Sequence, residues 1–106
     1  MRSPCLTLLH LFGTKVGDAG LAHFKDCTSL THLYLGSTQI GDTSLARFKV
    51  CQSLAVLDLG RTGVSDAGVE HLKECKSLTL LGRQDTKVTP EKIEELKKAL
   101  PKCKIE

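Results

Sequence analysis

The chain repeats itself every 24 residues, and this period constrains its fold more than any other feature. Leucine opens four successive copies, at Leu6, Leu30, Leu54 and Leu78. Further rows at fixed offsets are Leu9, Leu33, Leu57 and Leu81; Leu11, Leu35 and Leu59; Thr14, Thr38, Thr62 and Thr86; Asp18, Asp42 and Asp66; and Cys27, Cys51 and Cys75. Such a period is typical of solenoids, whose copies bury their apolar faces against one another. We therefore expect residues 1–106 to form a single repeat domain with copies 6–29, 30–53, 54–77 and 78–106.

Each copy is predicted to hold a strand, a turn and a helix. In the second copy, Leu33 and Leu35 alternate with polar residues, which indicates a strand with one buried face. Residues 36–38 (Gly-Ser-Thr) turn the chain, and Leu45 and Phe48 then recur at helical spacing. Strand follows strand in parallel in this arrangement.

The polar rows receive structural interpretations. We expect the threonine row to form a hydrogen-bond ladder that satisfies turn backbone groups between stacked copies. The aspartate row falls in the first helical turn, where a carboxylate meets the positive end of the helix dipole. The in-register cysteines are interpreted as small buried residues in a reducing compartment, which favours a cytoplasmic protein.

These residues resemble a known family. The phrase Leu30-x-x-Leu33-x-Leu35-x-x-Thr38-x-Ile40 is similar to the leucine-rich repeat, and Asp66-Ala67-Gly68-Val69 followed by Cys75 resembles its cysteine-containing subclass. Members of that subclass occur as tandem arrays in bacterial multidomain proteins and in substrate-binding subunits of ubiquitin ligases. The resemblance implies an α/β fold: a right-handed horseshoe arc of about four repeats, with a parallel β-sheet on the concave face and helices on the convex face.

The fourth copy departs from the pattern. Arg83 stands where the other copies have leucine, so we expect either an open last layer in which it reaches water, or pairing with Glu94, Glu95 or the C-terminal carboxylate. A longer helix from Pro90 to about Leu100 and a short closing segment then predict a C-terminal cap.

The first copy lacks such a cap in the sequence. Five residues precede Leu6, so the strand from Cys5 to Phe12 is predicted to present an unpaired edge. Two interpretations follow: the chain is the tail of a longer array, or it self-associates through this layer. We favour the tail of a longer array, and expect an isolated chain to form a homodimer through the uncapped edge.

Outward strand positions vary between copies and are the candidate binding surface. Apolar and aromatic residues there are flanked by charged and imidazole side chains, as on protein-binding surfaces. The partner-binding candidates on the concave face are Leu8, His10, Phe12, His32, Tyr34, Val56, Asp58, Arg61 and Leu80. Tyr34 is the strongest single candidate, because tyrosine is frequent among binding hot spots.

Several function classes are disfavoured. The net charge of +3 lacks a basic-aromatic pattern, so no nucleic-acid partner is expected. No signal peptide or apolar membrane span is visible. His23–Cys27 and His71–Cys75 have a spacing that could place two ligands on one helix face, but Arg47 interrupts the series, and we expect no metal, cofactor or catalytic residue.

The leading hypothesis is therefore a protein–protein interaction module that is not an enzyme, and is part of a longer array or multidomain protein. One alternative is a reader of a non-protein ligand, such as a glycan or cell-wall fragment, on the same face. A second alternative is a purely structural repeat segment.

Overall fold

The computed structural model describes residues 6–24, 29–48 and 52–106, in which short strands alternate with helices. The strands are β1 (Leu8–His10), β2 (His32–Tyr34), β3 (Val56–Asp58), β4 (Leu80–Gly82) and β5 (Lys104–Ile105). The α-helices are α1 (Asp18–Leu21), α2 (Asp42–Phe48), α3 (Asp66–Val69) and α4 (Pro90–Ala99). Stretches of 3₁₀ helix at Ala22–Phe24 and Glu70–Glu74 continue α1 and α3.

The strands form one parallel sheet in the order β1-β2-β3-β4-β5. Its register follows the sequence period, since Leu9 lies opposite Leu33, Leu33 opposite Leu57, and Leu57 opposite Leu81. This confirms the predicted open solenoid with a concave parallel sheet and convex helices. The closing segment adds a fifth strand, which places Ile105 opposite Leu81.

The core runs through the middle copies. Leu33, Leu57 and Leu81 are at most 1% exposed, and Leu35 and Leu59 are fully buried as well. In the first copy, the corresponding leucines pack against the core but are only partly buried. Burial therefore increases from β1 to β2 and stays high in β3 and β4.

The threonine row bonds within each copy, not between copies. The hydroxyl of Thr38 donates to the carbonyl of Leu35 at 2.6 Å, and that of Thr62 to the carbonyl of Leu59 at 2.6 Å. Thr14 and Thr86 do the same at 2.8 and 2.6 Å. The predicted turn-satisfying role is confirmed, while the predicted ladder between stacked copies is wrong because each hydroxyl reaches back three residues to its own strand end.

The aspartate row supplies side-chain hydrogen bonds between copies. Each aspartate begins its helix, as predicted. However, the Asp42 carboxylate accepts hydrogen bonds from the backbone N–H and hydroxyl of Ser65 at 2.7 and 2.6 Å. Asp18 accepts from the N–H of Gly41 at 2.9 Å, and Asp66 from the N–H of Thr89 at 2.8 Å. The aspartates therefore fix where the next helix begins.

The C-terminal layer matches the predicted cap. Thr89 caps α4 by accepting a hydrogen bond from the N–H of Lys92 at 3.2 Å, and Pro90 occupies the first turn. Arg83 is partly exposed, although its Nε is buried without a hydrogen-bond partner among the described residues. The nearby carboxylates face lysines instead, with Glu94 3.7 Å from Lys97. Of the two alternatives for Arg83, the structure has the open layer.

The convex face carries a four-membered ion cluster. Glu70, Lys73, Lys92 and Glu95 alternate in charge, with nitrogen–oxygen distances of 2.7 to 3.1 Å. The hydrogen bonds from Lys92 and Lys73 lower the pKa of Glu70, and those from Lys73 and Lys92 lower the pKa of Glu95. The same contacts raise the pKa of both lysines. This cluster joins the third copy to α4.

The helices are short: the longest of those described is α4, with 10 residues. Within the described ranges, no helix is long and apolar enough to cross a membrane.

Candidate functional site

The strand register aligns outward side chains into rows across the concave sheet. One row is Leu8, His32, Val56, Leu80 and Lys104. The next is His10, Tyr34, Asp58 and Gly82. Because neighbouring strands lie about 4.8 Å apart, side chains within a row contact one another.

Aromatic rings cover the first two copies of this face. The ring of His10 lies 5.2 Å from that of Tyr34 and 6.5 Å from that of Phe12, measured between centroids. The ring of His32 lies 6.4 Å from that of Tyr34 on the other side. We call these four residues the aromatic run. Its tilted rings form one aromatic surface that includes two imidazole groups and a phenol group.

The expected apolar stripe is exposed unevenly. Leu8 and Phe12 are 51% and 53% exposed, and among the described residues they are the large hydrophobic side chains that lie on the surface. Tyr34, Val56 and Leu80 are half-buried. The apolar surface is therefore most accessible at the first copy. Toward the third and fourth copies, the same side chains line a depression in the face.

Asp58 forms the floor of that depression, between two glycines. A Cβ atom at Gly82 would lie 2.9 Å from its Oδ1, and one at Gly36 would lie 2.9 Å from its Oδ2. The Gly36 position is also 2.9 Å from a ring carbon of Phe12, so a side chain there would collide with both neighbours. Oδ1 accepts the N–H of Gly60 at 3.0 Å. The absence of side chains at Gly36 and Gly82 leaves room for the carboxylate.

We call this depression the Asp58 cleft. Its volume is about 270 Å³, and it is lined by Tyr34, Val56, Leu57, Asp58, Gly60, Leu80, Gly82, Gln84 and Glu106. A second depression of about 240 Å³ shares its Asp58, Gly60 and Gln84 and extends to Phe12 and Arg61. The structure thus brings Tyr34, Val56, Asp58 and Leu80 together, with the aromatic run adjoining them.

Arg61 has a structural role as well as a surface position. Its backbone φ of 59° is left-handed, and Ser37, Asp85 and Gly13 adopt similar positive values at the equivalent turns. Its side chain lies 3.5 Å from the Asp85 carboxylate, and both are more than 70% exposed, at 71% and 72%. This row therefore has a structural constraint, because every copy has a left-handed residue there.

Several lining residues were missing from the sequence candidates. Gly82 signals the cleft in its row, since it is the member of that row that lacks a side chain. Gln84 and Glu106 carried no such signal. Glu106 reaches the face only because it follows β5, where its N–H donates to the carbonyl of Leu81 at 2.8 Å.

The cysteines and histidines that the structure describes form no assembled ligand set. Cys75 is fully buried, as predicted for the cysteine row, and Cys103 is 8% exposed. Burial raises the pKa of the Cys103 thiol. Among the described residues, no three histidine, cysteine or acidic side chains gather as a metal site would require. Cys27 and Cys51, the other two members of the cysteine row, lie outside the described residues.

Comparison with known families identifies the repeat. A leucine-rich repeat model matches residues 2–24, 26–48 and 50–73, three consecutive units that cover more than half of the chain. The chain belongs to the leucine-rich repeat family. No curated protein matches the sequence.

Solved leucine-rich repeat structures share the fold. One from Leptospira interrogans superposes with a TM-score of 0.79 at 24% identity, covering 97% of this chain and 26% of its own. An internalin from Listeria monocytogenes gives a TM-score of 0.63 at 18% identity, covering 94% of this chain and 34% of its own. The chain therefore spans about a quarter to a third of the length of these bacterial proteins.

Proposed function

We propose that this leucine-rich repeat chain is a protein-binding module whose concave face holds the partner. The observation that carries the proposal is the joining of exposed Leu8 and Phe12, the aromatic run and the Asp58 cleft on one sheet face. Exposed apolar and aromatic groups beside polar ones are what protein interfaces use as anchors. Repeat solenoids generally use their extended concave surfaces for binding.

The proposed role is binding without catalysis, as the interaction part of a longer array or multidomain protein. The family and the fold support a repeat used in interactions. Tyr34, Val56, Asp58 and Leu80 would form the centre of the interface, with Leu8, His10, Phe12, His32 and Arg61 around it. The reducing, cytoplasmic location stays a prediction, since two members of the cysteine row lie outside the described residues.

The test compares two double alanine variants, one on the concave face and one on the convex helices. A partner captured by the purified chain is identified by mass spectrometry, produced separately and titrated by calorimetry. Tyr34→Ala with Asp58→Ala is expected to weaken its binding at least tenfold while circular dichroism stays unchanged, because it removes a ring and a carboxylate from the face centre.

Thr43→Ala with Lys98→Ala on the convex helices is the matched control, since both side chains are exposed there. It should leave the affinity as in wild type. Equal affinities for the concave and convex variants would place the interface elsewhere.

We further propose that the isolated chain dimerises through its first layer. β1 lies at the edge of the sheet, where backbone groups are available to a second strand, and Leu8 is 51% exposed beside it. Light scattering across a concentration series should show dimer, and Leu8→Lys should shift the mass toward monomer. A monomer at every concentration would contradict this association.

A further inference from the structure

The acidic groups of the concave face differ in whether a basic side chain accompanies them. Asp85 lies 3.5 Å from Arg61, and Glu106 lies 3.2 Å from Lys104. Asp58 has no such neighbour among the described residues, and its Oδ2 accepts no hydrogen bond there. One negative charge of this surface thus stands without a cation.

The surroundings of Asp58 define what could supply that cation. Its carboxylate lies at the floor of the 270 Å³ cleft, and Tyr34 precedes it in the same row of the sheet. Val56 and Leu80 line the cleft beside it as half-buried apolar side chains. A ligand for this cleft therefore needs a cationic end for the carboxylate and an apolar stem for the wall.

Arginine fits this combination better than lysine. Its planar guanidinium stacks on aromatic rings and donates two parallel hydrogen bonds to a carboxylate. Its methylene stem packs on apolar surface while the charged group makes the polar contacts. Lysine is a compact, strongly hydrated charge that gains less from the tyrosine face.

We propose that the Asp58 cleft receives the guanidinium group of an arginine side chain that a partner protein presents to the concave face. The guanidinium pairs with the Asp58 carboxylate and stacks against Tyr34, while its stem lies along Val56 and Leu80. This inference rests on the proposed function, because it names the side chain by which the partner would be anchored.

The first test uses a small probe, so it needs no identified partner. The ¹⁵N-labelled chain is titrated with N-acetyl-arginine amide, with N-acetyl-lysine amide, and with the neutral isostere N-acetyl-citrulline amide. The arginine probe is expected to shift the amide signals of Asp58, Gly60 and Gly82 saturably, and at least about fivefold more tightly than either analogue. Citrulline binding as tightly would overturn the role of charge, and lysine binding as tightly would overturn the choice of guanidinium.

Three variants assign the contact to Asp58 and Tyr34. Asp58→Asn keeps an acceptor oxygen for the N–H of Gly60, which lies 3.0 Å from Oδ1, but removes the charge. It should weaken arginine binding at least tenfold. Asp85→Asn, another acid of the same face, should change it less than twofold. Tyr34→Phe should bind as wild type and Tyr34→Ala several-fold more weakly, since stacking needs the ring and not the hydroxyl.

Loss of binding in Asp85→Asn, or retention in Asp58→Asn, would move the cation elsewhere and overturn the proposal. The amide spectra of all the variants also report whether each remains folded. If the spectrum of Asp58→Asn is not that of a folded chain, this variant is replaced by Gly82→Ala, whose methyl group would occupy space 2.9 Å from Asp58 Oδ1. That variant should also abolish arginine binding.

A second experiment separates this inference from the proposed function. Displayed random peptides are selected on the wild-type chain and depleted on the Tyr34→Ala, Asp58→Ala variant. Arginine enriched at one position, with binding lost in Asp58→Asn, is the expected result. Binders that depend on the concave face but carry no arginine would overturn the cleft assignment and leave the proposed function intact. Saturable binding of the arginine probe without any concave-face peptide would contradict the proposed function and leave the guanidinium site in the cleft intact.

Discussion

Asp42 directly joins the second copy to the third. It begins α2, yet its two carboxylate oxygens accept from the backbone N–H and the hydroxyl of Ser65 in the next copy, at 2.7 and 2.6 Å. Hydrogen bonds to an ionised acceptor are stronger than neutral ones. Removing the acceptor leaves a backbone donor of a helix start without a partner, which is the costly way to lose a hydrogen bond.

Asp42→Ala is therefore expected to lower the free energy of unfolding by about 1–3 kcal/mol. Asp42→Asn keeps one acceptor for the Ser65 N–H and should cost less. Exposed Thr43→Ala, its neighbour on α2, should change stability by less than about 0.5 kcal/mol. Urea unfolding of the three variants measures the difference, and an Asp42→Ala cost no larger than that of Thr43→Ala would contradict it.

At this scale the sequence predicts the type of bond better than its partner. The threonine row was expected to satisfy turn backbone groups and the aspartate row to meet a helix dipole, and both rows form hydrogen bonds with backbone groups. The Thr38 hydroxyl donates to a carbonyl three residues earlier, whereas the Asp18 carboxylate accepts from an N–H 23 residues later. The first partner follows from local turn geometry. The second follows only from how closely the copies stack, which a period does not specify.

The ion cluster of the convex face joins α4 to the preceding 3₁₀ helix. Lys92 of α4 bridges Glu70 at 2.7 Å and Glu95 at 3.0 Å, and Lys73 of the preceding 3₁₀ helix bridges the same two acids. Such exposed pairs are individually weak and are screened by salt. As a closed network, they hold α4 in one orientation over the third copy.

The cluster predicts a defined pH window. The pKa of Glu70 and Glu95 is lowered from 4.5, so their contribution is present above that pH and is lost as pH falls through the lowered values. The pKa of both lysines is raised from 10.5, so theirs is present below that pH and is lost as pH rises through the raised values.

A variant with Glu70→Gln, Lys73→Met, Lys92→Met and Glu95→Gln should be less stable than wild type between these limits. The difference should shrink on both sides of the window and in high salt. Unfolding followed by circular dichroism across pH measures it. A difference that is independent of pH would mean that packing, not charge, accounts for the cluster's effect.

Element boundaries were only partly predictable. The N-cap threonine and proline predict the start of α4 correctly, and the α-helix reaches Ala99. α1 and α3 contain Gly20 and Gly68 and are only four residues long before they tighten into 3₁₀ helix. Glycine weakens a helix interior, which agrees with the shortening. The Asp58 cleft was not predicted because its space depends on the missing side chains of Gly36 and Gly82 and on Glu106, which follows β5. The repeat period does not contain β5.

Across the whole molecule, the leucine rows are less buried in the first copy than in the second and third. The same row of the repeat is partly buried at Leu9 and at most 1% exposed at Leu33 and Leu57. In a solenoid, a copy is stabilised by the neighbours on its two sides. The first described layer has such a neighbour on one side in this chain, and is expected to open before the rest.

Leu57→Ala should therefore cost about 2–5 kcal/mol, as a fully buried leucine does. Leu9→Ala, at the equivalent position of β1, should cost less than half as much because its site is already partly open. Thermal unfolding of the two variants compares them. Hydrogen exchange should likewise show faster exchange at β1 than at β3, and equal costs with equal exchange rates would contradict the gradient.

The aspartate bridges have a consequence for how such a chain can evolve. Asp18 to Gly41, Asp42 to Ser65 and Asp66 to Thr89 each span the same 23 residues. A DNA segment that encodes one full period could therefore be duplicated or deleted in frame, and the two surfaces brought together would already be complementary. Recombination can in this way lengthen or shorten the array without any new core substitution, while outward residues such as Tyr34 and Asp58 diversify independently.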